Sequence, residues 1–419
     1  MIVTKEKLID LLLHPDFRVR EASVHALERF FIKTTGVTHN LIKAIEQFPD
    51  HSLPIASGLK AFIPEDDDIE EIIKLIYSTD RHKDDISASL YFHLTQSLLY
   101  FPFELLESNQ NIMMFNNELA QIYETAKSRE QVRQQGPEYL WGELVNLCER
   151  YYKTRIESDD LHYGQLLIDS LSCYKEKIRG KVIMLLGQNK PGNYHLQEYL
   201  VKLAGKLRLD ETAHHLFRIF AEADYMHIVH SDCIRALGSI GTHEVIEEIE
   251  KAYESNKEKR MALAGILGYI PTDDSENLGI RLINKEEDLT VKTFLACALC
   301  DIFSLKAIDI IKEMVETEEV DHEVASMIDE LVPVYAYHGK PVTALSSLAS
   351  SEKEFTEKRL NNDPLFQAGQ LLRKSFEALS KENHLHSLQQ KNSSNPDNIL
   401  SLRKARNKRK RGNRKRSKK

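Results

Sequence analysis

The sequence predicts an all-α protein assembled from short helices joined as hairpins, and three observations predict it. Apolar residues recur at i, i+3, i+4 and i+7 almost everywhere up to about residue 385, while alternating β-branched runs are scarce. Turn chemistry interrupts that pattern every dozen or so residues, at HPDF, FPDHSLP, IPEDDD, NKPGN, GSIGTHE, YIPTDD and YHGKP. Short helices in long series imply hairpins, and the series has a period.

The period is clearest on the second helix of each hairpin. VREASVHALERF (Val19 to Phe30) aligns with IRGKVIMLLGQN from Ile178, VHSDCIRALGSI from Val229, KRMALAGILGYI from Lys259 and VKTFLACALCDI from Val291. VDHEVASMIDEL from Val320 is a sixth copy, and the last four starts are separated by 30, 32 and 29 residues. Each copy opens on a pair that is mostly Val or Ile followed by a basic residue. An apolar pair lies seven positions on, so both fall on one helical face. Pro15 ends the helix before the first copy, and Pro271 ends the one carrying GYI.

HPDFRVREASVHALERF resembles the HEAT repeat, with its Pro, then Val-Arg, then an Ala-rich second helix ending in Ala-Leu. The resemblance covers 8–31, 214–241, 243–271 and 274–303, weakens at 165–188 and 305–333, and is poor between about 77 and 160. It implies an α-solenoid of stacked antiparallel helix pairs whose inner face binds macromolecules, an architecture shared by many unrelated functions. The expected organisation is N-terminal HEAT-like repeats over 1–76, degenerate helical repeats or a helical insert over 77–160, and further repeats over 161–345. C-terminal capping helices follow over 346–387, including one opened by Asp363 as N-cap with Pro364 behind it. Residues 388–419 are expected to be a disordered linker and a Lys/Arg-rich tail.

The tail divides the chain electrically. Arg403, Lys404, Arg406, Lys408, Arg409, Lys410, Arg411, Arg414, Lys415, Arg416, Lys418 and Lys419 supply 12 positive charges with no acidic residue among them. Set against a whole-chain net charge of -8, they leave the first 402 residues at -20. With no aromatic residue to stack on bases, such an arm would hold RNA or DNA through phosphates, weakly, without sequence preference and with a steep salt dependence. An intramolecular alternative is that the arm lies against the acidic body.

Elsewhere the chemistry is sparse. The basic residue of the repeat recurs as Arg20, Arg179, His230, Arg260 and Lys292, and such a ladder is expected to bond to carbonyl or acidic groups of neighbouring repeats. Cys297 and Cys300 form a C-x-x-C in apolar helical text without a second ligand pair, which predicts core packing. The layout also resembles deoxyhypusine hydroxylase, a HEAT-like family that holds two irons with His-Glu pairs on its second helices. Only His322 with Glu323 falls at the matching point, and His243 with Glu244 opens a first helix instead. No Gly-rich phosphate loop occurs.

The expected function is therefore a non-catalytic scaffold that binds a protein partner on its solenoid and is tethered to RNA or DNA by the tail, with no cofactor and no membrane. The alternative is a metal-dependent or lyase-type enzyme working on the concave face, with His322 and Glu323 as metal ligands. Five cysteines embedded in helical text, with no convincing secretory signal, place the chain in the cytoplasm, or the nucleus of a eukaryote.

Overall fold

Capping residues and turns cut the apolar periodicity into 22 α-helices, with no strand among the described residues. The computed structural model describes residues 2–153, 158–188, 194–224 and 227–362. Contacts divide the chain into two units, residues 1–351 and 352–419.

The first unit is a succession of helical hairpins. Lys5–Leu11 (α1) pairs with Phe17–Phe30 (α2), Thr38–Gln47 (α3) with Ser52–Gly58 (α4), and Asp66–Ser78 (α5) with Asp85–Leu98 (α6). Two short helices, Phe103–Ser108 (α7) and Gln110–Met113 (α8), share Asn117–Arg133 (α9) as their partner. Pro137–Lys153 (α10) pairs with Ser158–Ser172 (α11), Lys175–Gly187 (α12) with Tyr194–Leu207 (α13), and Ala213–Glu222 (α14) with Ile228–Ile240 (α15). His243–Ser255 (α16) pairs with Arg260–Leu267 (α17), Asp273–Ile283 (α18) with Leu289–Asp301 (α19), and Ile308–Glu316 (α20) with Met327–Tyr337 (α21). Ser346–Asn362 (α22) ends the described chain.

Local chemistry sets where these helices begin. Asp16, Asp84, Asn116, Asp288 and Ser326 each accept a backbone N–H of the first turn of α2, α6, α9, α19 and α21. Each such cap stabilises its helix by about 1 kcal/mol. Apolar stripes then bury Val19, Val24 and Leu27 on α2 and Leu295 and Leu299 on α19 in one hydrophobic cluster running from Val3 to Leu348.

Second helices pack on second helices, in the order α2, α4, α6, α9, α11, α13, α15, α17, α19, α21. The step from α13 to α15 is a close one. A Cβ on Gly205 would stand 2.6 Å from Ala236 Cα, so only glycine permits that approach.

The succession also returns on itself, because α21 packs against both α1 and α2. Arg18 on α2 bonds Asp329 on α21 at 2.8 Å, and Arg29 on α2 pairs with Asp301 on α19 at 2.7 Å. The Thr4 amide donates to the Tyr337 hydroxyl at 2.9 Å, and the Ile2 amide to the Pro271 carbonyl at 2.9 Å. The first and last hairpins are thus neighbours, which no local pattern in the sequence announces.

Two expected registers differ. Ile178 starts no second helix: its segment is α12, the first helix of the α12–α13 hairpin, so Arg179 stands outside the series holding Arg20, His230, Arg260 and Lys292. First and second helices are both amphipathic with the same 3.6-residue period, so periodicity alone does not tell them apart. The sixth copy begins at Met327 rather than Val320, because Asp321 accepts the Glu323 amide at 3.1 Å and holds the intervening residues in a turn.

Candidate functional site

The repeated cations are engaged within the fold. Arg20 is 1% exposed, donates to the His14 and Pro15 carbonyls at 2.7 and 2.9 Å, and lies 3.8 Å over the Phe48 ring. Its guanidinium thus ties α2 to the turn before it and to the end of α3. Arg260 donates to the Tyr253 carbonyl at 3.0 Å and pairs with Glu286 at 3.2 Å, while the Tyr253 hydroxyl donates to the same carboxylate. Lys292 pairs with Glu319, and buried His230 stacks on Phe220 at 4.7 Å. Arg179, on a first helix, pairs with Glu211.

Two cavities of opposite character flank Arg29. The first, about 360 Å³, lies on the seam where α2 meets α19 and α21. Arg18, Glu21, Ala22, His25, Ala26 and Arg29 reach it from α2 at helical spacing, facing Asp301 of α19 and Asp329 and Glu330 of α21. Burial pushes the Glu330 carboxyl up to about 7, the neighbouring Asp301 and Asp329 add to the shift, and Arg29 opposes it. Burial also raises Asp301, again against Arg29. The seam therefore holds a carboxyl that exchanges its proton near neutral pH beside two arginines.

The second cavity is larger, about 730 Å³, and is walled by the C-terminal end of α2 and by α11, α13 and α15. Six cations line it: Arg29, Lys33, Lys202, Lys206, Arg208 and Arg235. Four have carboxylate partners. Arg29 has Asp301 at 2.7 Å, Lys202 has Glu198 at 2.5 Å, Arg235 has Asp232 at 2.6 Å, and Lys206 has Asp169.

Lys33 and Arg208 are different, for among the described residues neither side chain has a carboxylate at ion-pair distance; Asp169, already paired with Lys206, attracts Lys33 only from further off. Lys33 keeps solvent access while protein surrounds it, and that burial pulls its ammonium below the usual lysine range.

The backbone marks the same two residues. Five second helices close on a left-handed residue: Gly241 after α15 and Gly339 after α21, but Lys33 after α2, Arg208 after α13 and Phe303 after α19. Glycine adopts that conformation without penalty, whereas a residue with a Cβ is disfavoured there by about 1 kcal/mol. All three larger side chains line a cavity, Phe303 the seam and the two cations the basic one, whereas Glu318, left-handed after the first helix α20, lines neither. Strain of this kind concentrates at functional positions.

Of the residues singled out for metal, His322 and Glu323 lie in the turn before α21, and His243 opens α16, where it faces Asp274 at 3.1 Å. The metal-type cluster found among the described residues is His39, Asp68 and Glu71. Its Asp68 already accepts the Glu65 amide at 2.8 Å in a capping box, and His39 sits 3.3 Å from Glu71, an arrangement that helix capping explains. All five cysteines are free; Cys300 is buried and Cys297 half-buried in α19, and burial raises both thiols. Protonated thiols in apolar packing are poor ligands and poor nucleophiles.

The tail cations from Arg403 to Lys419 and the Asp363 cap lie outside the described residues. No helix among those described is long and apolar enough to cross a membrane.

Sequence reasoning missed Lys33 and Arg208. The available signal was a cation within three residues of the end of a second helix, where two sister hairpins carry glycine. No protein-family model matches the chain, and no curated protein matches it.

Proposed function

We propose that the chain is a non-catalytic binding scaffold: a HEAT-like solenoid that holds a protein partner on its surface and is tethered to RNA or DNA by its Lys/Arg-rich end. The observation that carries this reading is the charge split, a segment of +12 attached to 402 residues at -20. The cations repeated through the body support it, because Arg20, Arg260 and Lys292 are spent on carbonyls and carboxylates of their own fold. Attraction to an extended polyanion then falls to the tail. Large apolar side chains left at the surface, Phe115 at 87% and Tyr194 at 72% exposed among them, are the kind of anchors that a protein partner covers.

The test compares the full chain with a chain ending at Leu402 for binding to RNA and duplex DNA across a salt series. The reading expects binding by the full chain alone, with log affinity falling linearly in log salt. Equal binding by both chains, or by neither, would overturn the tether.

A further inference from the structure

We infer that the cavity between α2, α11, α13 and α15 is a binding site for a small ligand bearing two or more phosphate groups, held by Lys33 and Arg208. The site goes beyond the scaffold reading and is independent of the tail. Four observations converge on it. The volume, about 730 Å³, lies within the range of roughly 300–1,000 Å³ typical of small-molecule sites. Six cations face it inside a body whose net charge is -20, so the sign of the wall opposes that of the protein around it. Lys33 and Arg208 have no carboxylate at ion-pair distance, Asp169 attracting Lys33 only from further off, whereas the other lining cations are paired. Both occupy left-handed backbone that glycine takes in sister hairpins, so each is kept at a local cost to stability.

The chemistry of the two side chains selects the ligand. An arginine offers a planar fork matched to phosphate oxygens, and a lysine offers a compact charge with rotatable donors. Partial desolvation of Lys33 strengthens its pull on an anion relative to open surface. Both residues line the same cavity, so a ligand carrying two or more phosphates can present one to each, whereas a single carboxylate offers one charge. The paired lysines and arginines around them lower the cost of bringing further negative charge inside.

The probe is inorganic tripolyphosphate and the readout is the thermal midpoint of the full chain. A midpoint separates the cavity from the tail: an anion drawn to the tail's charges in the folded and unfolded chain alike shifts nothing, whereas one held by the folded cavity stabilises the fold. We expect tripolyphosphate at a hundred times Kd to raise the midpoint by roughly 2–5 °C. Lys33→Gly with Arg208→Gly should abolish the shift without lowering the ligand-free midpoint, since glycine suits both backbones. Lys33→Asn, also tolerant of that backbone, should weaken the ligand about tenfold.

No shift in the parent chain, or an equal shift in the double variant, would overturn the site. A nucleoside triphosphate run in parallel identifies the source of the phosphates. A larger shift than that of tripolyphosphate assigns a nucleotide, and an equal one assigns the phosphate chain itself.

Discussion

The two cavities beside Arg29 are built from the same helix yet carry opposite chemistry. The seam cavity gathers Asp301, Asp329 and Glu330 opposite α2, and its two arginines are each bound to a carboxylate. The other cavity gathers six cations, two of which lack such partners. In the seam, the charges serve the structure: they hold the first hairpin to the last two. In the basic cavity, charge is left over, and surplus charge in a concave site asks for a ligand. Arg29 reaches both, so its substitution is the sharpest way to break the distinction.

Arg29→Ala should have the largest effect. It removes the bond to Asp301 and the stacking on Tyr269, and it leaves Asp301 and Glu330 without their nearest cation. The pair keeps solvent access, so we expect a loss of about 2–3 kcal/mol in chemical denaturation rather than the larger loss of a fully buried pair. Gly205→Ala tests the basic cavity alone. Its Cβ would collide with the Ala236 backbone, and forcing α13 from α15 should cost about 1–3 kcal/mol while leaving the pH behaviour of the seam unaltered.

The seam should also register pH. Glu330 has an ordinary value of 4.5 and is raised to about 7 in the folded chain. Between those values the folded state binds a proton that the unfolded state has lost, so this residue's contribution to stability is complete below about pH 4.5 and falls as pH rises to about 7. Glu330→Gln should flatten that segment of the stability profile and stabilise the protein at pH 8 by on the order of 1–2 kcal/mol. An unchanged slope in the variant would remove Glu330 from the account. The smallest effect is expected from Lys33→Gly, which should gain about 0.5–1 kcal/mol of stability by relieving its left-handed backbone. A loss of stability there would mean that the lysine supports the fold.

Much of the helix content was legible in the sequence, and the reason is local. Caps such as Asp16, Asp288 and Ser326, and the 3.6-residue apolar stripes after them, act within one turn of chain. The hairpins from α14 to α19 could be placed for that reason. Errors arose where local signals are ambiguous. IRGKVIMLLG is equally good text for a first or a second helix, and DHEVA carries helical spacing yet folds as a turn because Asp321 bonds the backbone ahead of it. What could not be read is everything made by distant contact. Arg18 meets Asp329 across 311 positions, and Lys33 shares a cavity with Arg208 only because α2 and α13 reach the same space. No period or motif encodes such meetings.

The central claim is that the first hairpin packs on the last, since the seam cavity depends on it. Arg18→Cys with Asp329→Cys, in a chain also carrying Cys173→Ser to remove the exposed thiol, places two thiols where an ion pair of 2.8 Å now stands. A short bis-maleimide added to the native protein should link them within one chain and give a compact, faster-migrating species on a denaturing gel. Each single variant should give none. If the double variant reacts at both thiols but is never linked, the first and last hairpins do not meet, and the seam, its pH response and the shared role of Arg29 fall together.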